Sequence, residues 1–577
     1  MRAATASHRE AKRLMKLRKW GCGALAAAML AAAPWTIASE PEATAAAAEP
    51  ETSVSADVMF EFLVAEVAAQ RGDVEAALAI YHRMAKELRD PQLARRAIEM
   101  AVRARAFGAA IDSAALLLEI DPTSTLAREI MAALLANESN VEKARATVAG
   151  LLERNANRAP LLMQVQHLFG KFPDKAAVLQ ATQALAEPYA DLPEAHYAVG
   201  VAALLADRLT LAQSEADAAL ERRPGWEQGA ILKAQVLRKV APEKVLGFYR
   251  DFADAHPQST DVRMQLGREL AADRKLAEAR QEFREVERID ARDAQAPYAV
   301  GLLSLQLEEF AEAQSAFTRA LRLGYRDAAG VYLGLGQAAE GQKRYDEAIG
   351  WYQKVESGDR LRAQLKIATL ISRQQGLEAG REFLHRIEPR SGEDHIQVLQ
   401  VEAQLLRDAR AWKETYDMLT QAVLEYPDSF ELLYDRAMAA ERVDRIDVLE
   451  EDLRRVIRMK PDYAHAYNAL GYTLAEKTNR LAEARDLIEK ANKLQPDDPF
   501  ILDSLGWVHY RLGNVNEALK HLQAAYSARS DPEIAAHLGE VLWKVGQRDE
   551  AQKIWRTALA ANPDHETLIT VMQKFGR

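Results

Sequence analysis

The sequence predicts an all-α superhelical solenoid built from antiparallel helix pairs. Three observations carry that expectation: a composition rich in helix formers, apolar residues recurring at three- and four-residue steps from Asp57 onward, and small residues repeating every 33 to 35 positions. At 577 residues the chain is longer than one compact core usually supports, which leaves several domains or an array growing in one dimension. Apolar residues make up 49% but aromatics only 7%, the difference being filled largely by Ala, Leu, Glu, Arg and Gln, and runs of strand-forming residues are nearly absent.

The N-terminal segment reads as an export signal over residues 1–38. Lys16, Arg18 and Lys19 precede an apolar run from Gly21 to Ala33, followed by Pro34 and a small-residue site near Thr36-Ile37-Ala38. A run this short falls under the ~20 residues that span a bilayer, which weighs against the alternative of a retained anchor. Met15 offers a second start that would give the signal an ordinary length. Cys22, the one cysteine, stands at the start of the apolar run, whereas an acylated cysteine would follow it, so a lipid anchor is not expected. Its loss with the signal would leave no thiol for disulfides or thiolate metal sites, which suits the periplasm. Cleavage would remove seven Lys/Arg and one Glu, moving the formal charge from −10 to −10 − (7 − 1) = −16. Such acidity argues against nucleic acid as a partner and limits membrane association to the periphery.

Residues 39–56 are rich in Ala, Glu, Pro and Ser without a sustained apolar period, the composition of a flexible tether. Helical patterning then continues to the C-terminus, as an N-terminal array over 57–240, a central one over 241–392 and a C-terminal one over 393–577. The repeat is clearest in the last. Pro427, Pro461, Pro496, Ser530 and Pro563 fall at intervals of 34, 35, 34 and 33, and Gly471 and Gly506 each follow a proline by ten residues. Ala484, Ala518 and Ala551 are each followed seven residues later by Ala491, Ala525 and Ala558. In the central array Gly267, Gly301 and Gly336 keep the same frame, with Ala279, Ala313 and Ala348 twelve residues behind. Phe283, Phe317 and Tyr352, like Ile488, Leu522 and Trp555 further on, are expected to fill the space between one helix pair and the next. Toward the N-terminus the frame weakens, although Gly200 with Ala212, Ala219 and Pro224 fits, and Gly72 with Ala77 and Tyr81 fits partly. Residues 238–258 and 372–400 lack the small-residue spacing and suggest bends near 240 and 392. Dividing the patterned region by the repeat length gives roughly 13 to 15 helix pairs, and His565 to Phe575 reads as a capping helix.

These positions resemble the tetratricopeptide repeat (TPR), strongly over residues 260–356 and 429–565. The likeness implies a stacked superhelix that binds ligands on its concave face, lined by the first helix of each pair at positions flanking the packing glycine. Carried onto this sequence, those positions include Tyr298, Asn468, Tyr472, Asp503, Trp507, Tyr510, Arg511, Trp543 and Lys544. Trp, Tyr and Arg are the residue types that most often dominate interface energy, although Trp507 and Trp543 could equally pack between helices.

Three blocks, Asn468 to Ala475, Leu502 to Val508 and Ala536 to Trp543, resemble long envelope adaptors of carboxyl-terminal processing proteases in Gram-negative bacteria. That resemblance implies a periplasmic scaffold holding a protease and its peptidoglycan-hydrolase substrates together. The alternative is a scaffold of an exopolysaccharide or outer-membrane export and assembly system.

No catalytic or cofactor constellation stands out. Gly334-Leu335-Gly336-Gln337-Ala338-Ala339 matches a dinucleotide fingerprint, but it lies inside the repeat frame with no strand before it. There is no phosphate-binding GxxxxGK[ST] loop, no HExxH and no GxSxG, and Ile569 stands where a zinc-protease string starting at His565-Glu566 would need its second histidine. The twelve histidines are scattered. A protein-binding scaffold without enzyme activity, cofactor or metal is therefore the expectation.

Overall fold

The structure is a computed structural model that describes residues 56–136, 141–154, 157–356 and 358–575. The export signal over 1–38, and the tether apart from Ala56, lie outside the described residues. Among the described residues there are 31 α-helices and no strand. No helix among them is long and apolar enough to cross a membrane.

The chain divides into two compact units, residues 1–134 and 135–577. The first contains α1 (Ala56–Gln70), α2 (Val74–Leu88), α3 (Pro91–Arg103), α4 (Phe107–Ile120) and most of α5 (Thr125–Ala136). The second continues with α6 (Val141–Arg154), α7 (Ala159–Leu168), α8 (Lys175–Ala186), α9 (Pro193–Leu205), α10 (Leu209–Arg222), α11 (Glu227–Val240) and α12 (Val245–Ala255). Then come α13 (Thr260–Ala272), α14 (Leu276–Ile289), α15 (Gln295–Gln306), α16 (Phe310–Arg322), α17 (Ala328–Gly341), α18 (Tyr345–Tyr352), α19 (Arg360–Gln375) and α20 (Leu377–His385). The last stretch holds α21 (Gly392–Asp408), α22 (Trp412–Glu425), α23 (Phe430–Arg442), α24 (Ile446–Met459), α25 (Ala464–Lys477) and α26 (Leu481–Leu494). It ends with α27 (Pro499–Arg511), α28 (Val515–Ala528), α29 (Pro532–Lys544), α30 (Arg548–Ala561) and α31 (Glu566–Phe575). Odd-numbered helices open the pairs, even-numbered helices close them, and α31 stands alone.

Local chemistry sets these boundaries. Asp90, Asp174, Asp327, Ser429, Asp498 and Asp531 each accept a backbone N–H at the start of a first or second helix, satisfying donors that the helix cannot pair internally. The turn inside a pair uses one left-handed residue at a recurring position: Arg274, Glu308 and Lys343 in one run, Arg410 and Asp444 in the next, then Gly513 and Gly546. Only the last two are glycines, which take that conformation without a Cβ penalty.

Packing within several pairs rests on a glycine of the first helix. A Cβ at Gly267 would sit 2.7 Å from the Phe283 ring, at Gly301 2.7 Å from Phe317 and at Gly506 2.6 Å from Leu522, while at Gly539 it would run into the Trp555 indole. The bulky residue of the second helix thus closes on its own pair as well as packing toward the next, where Ile488 shares a core cluster with Ile501 and Leu505, and Leu522 with Ala535 and Leu538. Phe317 does both, since a Cβ at Gly334 of the following pair would also collide with its ring. The reason is geometric: a residue about sixteen positions past the glycine, on an antiparallel neighbour, returns to the glycine's own level.

The two stretches that break the frame show shortened second helices. After α11 comes a 3-10 turn, Pro242–Lys244, and then an α12 of 11 residues. In the other stretch α20 has only 9 residues against 17 for α21, leaving a cavity of about 420 Å³ lined by Leu384, Ile387, Val398, Leu399 and Met418 among others. At the C-terminus α31 buries Leu568 and stacks Phe575 against Trp555 with ring centres 6.1 Å apart.

Candidate functional site

The first helices of the C-terminal pairs pack on one another, α25 on α27 and α27 on α29, and so form a continuous wall. On this wall, residues at helical spacing around each packing position point to the same side. They are Glu441 on α23, Asn468, Tyr472 and Glu476 on α25, Asp503, Trp507, Tyr510 and Arg511 on α27, and Glu533, His537 and Glu540 on α29.

His537 is the hub. Its Nδ1 lies 2.8 Å from Oδ2 and 3.1 Å from Oδ1 of Asp503, and both side chains are buried. The imidazole stacks on the Trp507 indole at 4.3 Å, and its Nε2 lies 3.4 Å from the Tyr472 hydroxyl two pairs away. Trp507 donates its Nε1–H to Glu476 at 2.8 Å, and Arg511 donates to the side chain and backbone oxygens of the same residue at 3.3 Å. Thr473 donates to Glu441 at 3.5 Å, and Lys574 of α31 holds Glu540 at 3.1 Å.

The carboxylates of the wall shift the groups around them. Burial acts to strip His537 of its proton, but the carboxylates of Asp503, Glu533 and Glu476 outweigh it and the pKa is raised above 6.5. Tyr472 is pushed well above the ordinary phenol range, first by burial and then by Asp503, Glu533, Glu476 and Glu441. Burial also raises Glu441, against the pull of Arg442 and Lys477, with a smaller push from Glu533 on α29. The exposed ion pair of Arg410 with Glu566 at 2.8 Å joins residues 156 positions apart.

The nine residues singled out from sequence separate into three groups. Tyr472, Asp503, Trp507, Tyr510 and Arg511 come together around His537, with Asn468 beside them on α25. The Asn468 Oδ1 is buried and makes no hydrogen bond among the described residues. Trp507 is only 7% exposed, so its indole builds the wall more than it offers surface. Trp543 and Lys544 belong to the C-terminal cap: Trp543 stacks on Trp555 at 5.8 Å, and the Lys544 ammonium lies 5.6 Å from the Phe575 ring centre. Tyr298 lies on α15, stacked on Tyr325 at 4.2 Å, apart from the cluster.

Sequence reasoning missed His537, Glu441, Glu476 and Glu533. The repeat frame carried a signal for the first, because His537 follows Asp503 by one repeat length and so falls at nearly the same place on the next first helix. The arrangement can prop a wall and hold charge. Among the described residues no group of three or more His, Cys, Asp or Glu could hold a metal ion.

The tetratricopeptide repeat model matches residues 298–362 and 434–499. The chain is 38% identical over 202 residues to TPR repeat-containing protein PA4667 of Pseudomonas aeruginosa, covering 35% of this chain and 34% of that protein. It is 34% identical over 64 residues to bacteriophage adsorption protein A of Escherichia coli K12, covering 11% of this chain and 6% of that one. The chain therefore spans about a third or less of the length of these relatives. A crystal structure of a thermophilic TPR protein of Thermus thermophilus shares 22% identity over 30% of this chain and 95% of its own, with a TM-score of 0.28. Residues 298–362 and 434–499 thus carry tetratricopeptide repeats, a module typical of protein-binding scaffolds.

Proposed function

We propose that this protein is a periplasmic adaptor whose repeat wall binds other proteins, bringing a carboxyl-terminal processing protease to peptidoglycan-hydrolase substrates. The observation that carries the protein-binding part is the wall of α23 to α29, where partly exposed Tyr472, Tyr510 and Arg511 stand among the carboxylates of Glu441, Glu476 and Glu533. Aromatic and arginine side chains on a rigid frame lose little conformational freedom on binding, which suits protein recognition. The protease reading rests on the likeness of the three C-terminal blocks to envelope adaptors and on the signal-like N-terminus. Its mechanism is effective concentration: two partners held on one rigid array meet as an intramolecular pair.

The test is capture from envelope extract with the full chain, followed by proteolysis of a co-captured hydrolase with and without it. Recovery of a processing protease and faster hydrolase turnover is the expected result. Recovery of export or outer-membrane assembly components with no protease would refute the protease reading and favour an assembly scaffold.

A further inference from the structure

The first described helix, α1, carries an apolar stripe that the described residues leave exposed. Met59, Phe60, Leu63, Val64 and Val67 are 50%, 68%, 54%, 39% and 43% exposed. The opposite side of the same helix is fully engaged: Ala65 is buried, Phe62 meets Tyr81 edge-on at 6.2 Å, and Glu66 accepts the Tyr81 hydroxyl at 2.7 Å. At the far end of the chain the terminal helix α31 buries Leu568 and packs Phe575 on Trp555. Repeat arrays need a polar outer face on their terminal helices to stay soluble, and α1 does not supply one.

We propose that α1 is a self-association surface, pairing antiparallel with α1 of a second copy of this chain. The exposed residues Ala56, Phe60, Leu63, Val67 and Gln70 are spaced four, three, four and three apart, the seam of a two-helix coiled contact. Charge fixes the direction. Asp57 and Arg71 are both exposed, seven residues to either side of Val64 on one helical face. An antiparallel pair centred on Val64 places each Asp57 against the partner copy's Arg71, whereas a parallel pair sets like against like. The other acidic side chains of the helix are already tied within the chain, Glu61 to Arg83 at 3.1 Å and Glu66 to Arg96 at 3.2 Å. The five apolar side chains expose roughly 500 Å² per copy, so a pair would bury on the order of 1,000 Å², enough for a specific though modest interface.

Sedimentation equilibrium on the full chain tests this, with helix content followed by circular dichroism. The wild type is expected to form a dimer in the micromolar range, and Leu63→Glu with Val67→Lys a monomer of unchanged helicity, since both side chains lie on the surface. Asp57→Lys or Arg71→Glu alone should weaken the dimer about tenfold at low salt, and the two together should restore it. A wild-type monomer, as would follow if residues 1–55 or another protein cover the stripe, would overturn the proposal. So would a dimer that survives Leu63→Glu with Val67→Lys, or one that either single charge reversal leaves as tight as the wild type at low salt.

Discussion

His537 is buried against Asp503, under Trp507 and beside Tyr472, yet carboxylates from α25, α27 and α29 raise its affinity for a proton. A histidine whose folded pKa is raised gives its full stabilisation below the unfolded value of 6.5, and that contribution is lost as pH rises through the folded value. Denaturation midpoints of the wild type and His537→Gln should therefore differ most below pH 6.5 and draw together as the pH is raised above it. A gap that stays constant or widens with pH would show that the imidazole is neutral in the fold. Little of this was legible beforehand. Trp507 stood out as a residue type, but its orientation is set by Glu476, 31 positions away, and one chain gives no local sign of that pairing. Asp503 was visible on its helix face, while the histidine that occupies it looked like one of twelve scattered rings.

At the scale of helices the sequence was far more informative, because each pair solves the same packing problem with the same small residue. Gly267, Gly301, Gly336, Gly471 and Gly506 could be placed by spacing alone, since each is approached closely by a side chain that recurs with it. That each bulky residue also closes on its own pair escaped, because spacing does not give the level of a contact. Substituting Gly539→Ala drives a Cβ into the Trp555 ring, and the rigid indole cannot move away as the end of a flexible chain would. The variant should lose about 1–3 kcal/mol of stability, and Gly539→Ala with Trp555→Leu should recover part of it in the same urea titration. No loss in the single variant would mean that this glycine does not set the helix separation. The shortened α12 and α20 were visible only as interruptions, because a missing helical turn leaves no positive pattern to read.

At the largest scale, the first helices of the C-terminal repeats make a continuous surface that carries aromatic side chains among carboxylates. Acidity of the chain was plain from composition, but its concentration on one wall required the fold, since Glu441, Glu476 and Glu533 come from three separate repeats. If proteins dock there, partners should touch inner positions and leave the outer helices alone. The decisive measurement is photo-crosslinking in intact cells, with a photoreactive residue placed singly at Tyr472 or Tyr510 on the wall and at Lys490, Lys520 or Lys553 on the second helices. The account predicts discrete protein adducts from the two wall positions and none from the three outer ones. Adducts confined to the outer positions, or equal labelling at all five, would contradict it.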